Sequence, residues 1–264
     1  MKTYLSFEAT PEHFCTNRAL AYGDGMFETI LLHNSIMPLW TLHMQRLQSG
    51  LKLLGLQKIS EQLLLGKIEE LRANQVAGII KLIVFREGKL RGYSGETDKI
   101  DFIITINPLP NIKVCNRLSV SSVRLSSQKK LAGLKHLNRL EQVLAANELI
   151  DSPYSDALML DGKKRVIETV SKNIVLIKDN KLYSPKLNKC GVYGVALRWL
   201  ESQGHEIKWK KIEFKTLRKY DGFLVCNSIK GFNAVTSIKD KFQFRVDLPV
   251  IDEIQKQWRI TINS

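Results

Sequence analysis

The sequence predicts an α+β fold of two domains, the larger one C-terminal and rich in short strands. Three observations predict it. A length of 264 residues accommodates two modest domains. The two prolines of Asn107-Pro108-Leu109-Pro110-Asn111 forbid continued helix and disfavour a central strand, so a break falls there. Beyond it, short apolar runs are punctuated by turn signals and few segments carry helical spacing, which argues against a doubly wound sheet. The boundaries follow: residues 1–107 a small N-terminal α/β domain, 108–113 a linker, and 114–264 the larger domain.

The elements follow in order. Met26 to Leu32 and Ile36 to Leu39 read as a hairpin around His33-Asn34-Ser35. Thr41 is a candidate N-cap for a helix to about Leu56, with Leu47, Leu51 and Leu54 on one face. A second helix starts near Ser60 with Leu64, Ile68 and Leu71 on its stripe. Strands are expected at 78–85 and 101–106, then a half-buried strand from Arg117 to Leu125 and a helix from Leu137 to Ile150. Asp161-Gly162 and Asp179-Asn180 are hairpin signals between apolar runs. A helix from Gly194 to Gln203 stops at Gly204, and Ile207 to Phe214 and Phe223 to Val225 read as strands.

Composition narrows the function classes. Hydrophobic residues make up 44% and charged residues 25%, ordinary for a globular protein. No run approaches the roughly 20 apolar residues of a membrane span, and Glu8 and Glu12 interrupt any signal-peptide core. No membrane partner and a cytoplasmic location are therefore expected. Cys15, Cys115, Cys190 and Cys226 are scattered without a CxxC pair, so no metal site is expected. The net charge of +14 raises nucleic-acid binding as a distant alternative. The basic residues are spread along the chain, however, and no recognisable nucleic-acid motif is present, so no nucleic-acid partner is expected. A basic field also suits a small anionic substrate.

Lys135 sits in Leu131-Ala132-Gly133-Leu134-Lys135-His136-Leu137, an apolar setting before a helix. A lysine drawn out of water becomes a usable amine base or nucleophile. Locally, a lysine that snorkels its ammonium to solvent fits the same residues. Seven segments, in order, then bear on the choice: residues 17–28 (NRALAYGDGMFE), 43–47 (HMQRL), 91–94 (RGYS), 131–144 (LAGLKHLNRLEQVL), 167–173 (IETVSKN), 191–195 (GVYGV) and 221–227 (DGFLVCN). On these the chain resembles the fold-type IV, class IV aminotransferase-like pyridoxal-phosphate enzymes. That family contains D-amino-acid and branched-chain aminotransferases and the aminodeoxychorismate lyases.

The resemblance implies a D-amino-acid aminotransferase-like fold with pyridoxal 5'-phosphate as cofactor, carried as a Schiff base on Lys135 of the larger domain. Lys135 then serves as general acid and base. Glu168 is implied as the acid that pairs with the pyridine nitrogen, and Arg46 as a phosphate ligand whose guanidinium fork suits a dianion. Val192 and Tyr193, in a glycine-flanked turn opening a helix, would face the phosphate with their amides, and Asn227 would add a donor.

The segment around Lys135 and the Arg91-Gly92-Tyr93 element are most similar to the lyases. This implies conversion of 4-amino-4-deoxychorismate to 4-aminobenzoate and pyruvate, a step towards folate, by a homodimer. Arg91 and Tyr93 are the candidates for substrate binding. An aminotransferase acting on D-amino or branched-chain amino acids is the alternative, using the same Lys135, Glu168 and Arg46.

Overall fold

The computed structural model describes residues 1–88, 92–109 and 116–264. They divide into two compact units, Met1–Pro110 with Leu134–Asn138, and Asn111–Gly133 with Arg139–Ser264.

In the first unit, β1 (Lys2–Leu5), β2 (Gly25–Leu32), β3 (Gly78–Arg86) and β4 (Ile100–Asn107) form an antiparallel sheet in the order β1-β4-β3-β2. The helices are α1 (Pro11–Thr16), α2 (Arg18–Tyr22), α3 (Trp40–Leu53) and α4 (Glu61–Arg72). Strand alternation sorts the side chains. Met26, Glu28 and Ile30 pair with Val84, Leu82 and Ile80 on a fully buried face, while Phe27 and Lys81 fall on the opposite, half-buried face.

Two local expectations change here. The long partner of β2 is β3, over Gly25–Leu32, and the 33–36 turn contributes a single bridge, His33 to Ile36. Pro38 has no N–H to donate to a second hairpin strand. Helix α3 begins one residue before Thr41, with no side-chain cap, because Trp40 N already closes a turn on Met37 O. Helix α4 starts near Ser60 as expected, and Ser60 caps it, accepting from Leu63 N at 3.2 Å.

The second unit holds β5 (Arg117–Leu125), β6 (Ala157–Asp161), β7 (Arg165–Thr169), β8 (Asn173–Lys178), β9 (Lys181–Pro185), β10 (Ile207–Lys210), β11 (Ile212–Glu213), β12 (Gly222–Asn227), β13 (Gly231–Ala234), β14 (Ser237–Ile238) and β15 (Phe242–Gln243). Its helices are α5 (Leu140–Asn147), α6 (Val195–Ser202) and α7 (Pro249–Asn263). One sheet runs β10-β9-β8-β12-β13 and the other β11-β7-β6-β5-β14-β15. The apolar run after Ile207 is not one strand: β10 joins the first sheet and β11 the second, and residues 214–219 form a 3₁₀ helix. Asp179 and Asn180 both take positive φ, +48° and +57°, in a two-residue turn between β8 and β9. At the other predicted hairpin the left-handed residue is Lys164, not Gly162, and Asp161 Oδ1 fixes the turn by accepting from the amides of Lys163 and Arg165.

Lys135 departs from its expected domain. Phe27 N donates to Lys135 O and Leu137 N to Gly25 O, both at 3.0 Å, so residues 134–138 run along the free edge of β2 and belong to the first unit. An unpaired strand edge offers a row of donors and acceptors, and this segment takes them. That pairing also delays α5, expected from Leu137, until Leu140. Gly25 makes the approach possible, since a Cβ there would lie 2.5 Å from Val84 O and 2.9 Å from Leu137 Cδ1.

Candidate active site

In the first unit, successive residues of β2 point to opposite sides of its sheet. Phe27 lies under Lys135, whose Nζ is 4.2 Å from the ring centroid, and Lys81 Nζ stands 4.3 Å from the same centroid. Burial pushes the Lys81 ammonium below its ordinary value. Glu28, on the other face, is completely buried and receives two side chains from α3. His43 Nδ1 lies 2.6 Å from Glu28 Oε2, Arg46 Nε donates to Oε1 at 2.7 Å, and Arg46 Nη2 donates to Oε2. His43 and Arg46 are three apart on α3, one turn of the same face. Arg46 Nη1 makes no hydrogen bond to a described residue, so one corner of the guanidinium is uncommitted.

The electrostatics of this cluster follow from burial and pairing. Burial raises the Glu28 carboxyl, but the Arg46 guanidinium and the His43 ring outweigh it and hold Glu28 at about 2, against an ordinary 4.5. Burial pushes His43 down, only partly opposed by Glu28, which favours the neutral ring. A depressed carboxyl stabilises the fold above its unfolded pKa. That contribution is lost as pH falls from about 4.5 through about 2. At most it is on the order of 3 kcal/mol. Acid unfolding of wild type should therefore steepen in that window, and Glu28→Gln should lack that part of the slope. Equal slopes would contradict the coupling.

In the second unit, Glu168 lies on β7 and is buried. Its Oε2 accepts from Val192 N at 2.8 Å and its Oε1 from Gln142 Nε2 of α5 at 3.3 Å. The turn before α6 is braced from two sides. Gly133 and residues 191–193 exchange backbone hydrogen bonds, with Tyr193 N donating to Gly133 O at 3.0 Å, and Asn173 Nδ2 donates to Val192 O at 2.7 Å. Gly191 takes φ +85°, and a Cβ there would meet Ile167 at 2.7 Å and Glu168 Oε2 at 3.4 Å. Glycine is what lets this turn close over the carboxylate.

These bonds bear on three of the expected cofactor ligands. The Val192 amide donates to Glu168 and the Tyr193 amide to Gly133 in this structure. The Tyr193 ring is occupied too. Its hydroxyl donates to Glu201, Trp209 stacks edge-on at 5.4 Å, and burial with Glu201 pushes the phenol up to about 12. The Asn227 side chain shapes its own turn, donating to Ser171 O and accepting from the amides of Ile229 and Lys230. The donors that sequence reasoning passed over are Val195 N and Ala196 N, at the start of α6. No side chain caps this helix, and first-turn amides have no intrahelical acceptor. Gly194 opens the helix at φ −70°.

Of the substrate candidates, Arg91 lies outside the described residues. Tyr93 is 88% exposed, with its ring 5.3 Å from Tyr22. Its backbone is anchored: Arg18, ion-paired with Asp24, donates to the carbonyls of Gly92, Tyr93 and Ser94. The structure therefore groups Lys135, Arg46 and Tyr93 in the first unit, and Glu168, Val192, Tyr193 and Asn227 in the second.

A family model, Amino-transferase class IV, matches residues 25–238, most of the chain and every candidate residue above. The chain belongs to that family. This class IV chain is 32% identical to 4-amino-4-deoxychorismate lyase from Pseudomonas aeruginosa, with a TM-score of 0.87 and 98% of each chain covered. It is 30% identical over 244 residues to the aminodeoxychorismate lyase of Vibrio harveyi, covering 89% of this chain and 90% of that one. The branched-chain amino acid aminotransferase of Escherichia coli shares the fold at a TM-score of 0.80, with 20% identity and coverage of 97% and 92%. The α+β architecture is that of the class IV enzymes. Among the described residues, no helix is long and apolar enough to cross a membrane.

Proposed function

We propose that the protein is a pyridoxal-phosphate-dependent lyase that converts 4-amino-4-deoxychorismate to 4-aminobenzoate and pyruvate. The observation that carries this reading is the likeness, at 30% and 32% identity across nearly the whole chain, to two proteins of that name, against 26% and 20% for two branched-chain aminotransferases. In this reading the enzyme works as a homodimer in the cytoplasm on a small dianionic substrate, which the basic chain attracts.

The residues present fit the cofactor. Arg46, with its uncommitted Nη1 in the first unit, suits a phosphate, and so, in the second, do the first-turn amides of Val195 and Ala196, which no side chain caps. Glu168, oriented by Val192 N and Gln142, suits the ring nitrogen. Pyridoxal phosphate, when bound, supplies an aldehyde that captures amines and a ring that accepts the electron pair left by a departing proton. Lys135 Nζ would hold the group, and its amine would take the proton from the substrate ring and return one to the departing three-carbon fragment. Aromatisation of the six-membered ring then drives the elimination.

The test is a product assay. Enzymatically generated aminodeoxychorismate, with no keto acid added, should yield equal amounts of 4-aminobenzoate and pyruvate. Absence of aromatic product, with amino transfer from D-alanine or leucine to 2-oxoglutarate, would replace the lyase by an aminotransferase.

A further inference from the structure

We propose that Glu28 is an internal counter-anion that occupies the Arg46 guanidinium before phosphate arrives and thereby sets how tightly phosphate is held. The inference rests on the reading of Arg46 as a phosphate ligand.

Glu28 is an unusual residue for its place. It sits mid-strand on the buried face of β2, flanked by Met26 and Ile30, with no exposure to solvent. A carboxylate there is tolerated only if it is paired and its oxygens are satisfied. Arg46 meets both requirements through Nε and Nη2, and His43 Nδ1 completes the second oxygen. The reverse also holds: Arg46 is 5% exposed, and without Glu28 its charge would be buried with no partner in the empty protein. With His43 neutral, the cluster sums to zero charge.

An arriving phosphate therefore meets a guanidinium that is already compensated, held still by two hydrogen bonds, and open only at Nη1. The carboxylate repels the incoming dianion while it steadies the cation. The protein thus folds without its ligand, at the cost of weaker phosphate binding. The charges facing His43 and Arg46 are Glu28 from β2 and Lys135 from the neighbouring segment. Neither Lys135 nor His43 replaces the carboxylate, since neither bears negative charge.

The experiment uses the full chain freed of cofactor, inorganic phosphate as probe, and thermal unfolding with and without it. Wild type should melt well without phosphate and gain modestly with it. Glu28→Gln should melt lower in phosphate-free buffer, gain more from phosphate, and bind it about tenfold more tightly or better, because one repelling charge a few ångströms away is gone. The double variant Glu28→Gln/Arg46→Gln should recover the phosphate-free melting temperature and lose the response. Equal phosphate responses in wild type and Glu28→Gln would overturn the proposal. If Glu28→Gln folds in neither buffer, the double variant decides: a folded, unresponsive protein supports the counter-anion, and an unfolded one overturns it. A double variant that still answers phosphate instead sinks the reading of Arg46.

Discussion

Lys135→Ala is expected to abolish turnover, with the rate falling at least about ten-thousandfold, because the anchor and the proton carrier are lost together. The substitution should leave the fold nearly intact. Residues 134–138 are held to β2 by backbone hydrogen bonds, Phe27 N to Lys135 O and Leu137 N to Gly25 O, and Ala keeps both. The side chain gives up its place over Phe27, a contact worth on the order of 1 kcal/mol. Wild type incubated with pyridoxal phosphate and reduced with borohydride should carry the added mass on the peptide containing Lys135. The Ala variant should carry none there, while its melting temperature stays close to wild type. Label on another lysine, or activity retained by the variant, would remove Lys135 from the mechanism.

Asp156→Ala is expected to have the largest effect on stability. Asp156 sits beneath the β7–β8 turn and accepts from Ala157 N, Val170 N, Thr169 Oγ1 and Lys172 Nζ. Both members of the Asp156–Lys172 pair are about 2% exposed. Removing the carboxylate leaves a buried ammonium without its partner, which typically costs about 3–5 kcal/mol. The turn also carries Glu168 on one side and Asn173 on the other, so its loosening should weaken cofactor retention as well. Denaturant unfolding measures the first effect. Asp156→Ala/Lys172→Met should recover most of the loss, since a neutral pair has no charge to strand. A single variant within about 1 kcal/mol of wild type would show that the pair is not the strain-bearing contact.

The elements legible in the sequence were those whose signals are local. Ser60 caps α4 where a polar residue precedes an apolar stripe, and Asp179-Asn180 turns where two left-handed residues are required. The family was legible for the same reason: Gly191, Glu168 and the lysine segment are short strings with fixed spacing. Helix α7 escaped notice although Pro249 opens it and Val250, Ile251, Ile254 and Trp258 lie on one face. Its buried side is completed by Trp199 and Phe232, 4.8 and 5.4 Å from Trp258, residues far from it in the chain.

By itself the sequence determined the class IV identity and the α+β composition, and the resemblance to that family supplied the candidate lysine, carboxylate and arginine. The tertiary structure alone decided which hydrogen-bonding groups remain available. Val192, Tyr193 and Asn227 have the chemistry of anion ligands; the two amides donate to Glu168 and Gly133, and one N–H of Asn227 to Ser171. Glu28 reads as an unwelcome acid until His43 and Arg46 close on it from α3. Lys135 follows the C-terminal unit in the chain and the N-terminal sheet in space. The physical reason is common to all three: the partner that satisfies a polar group is chosen by folding across long separations that no local pattern records.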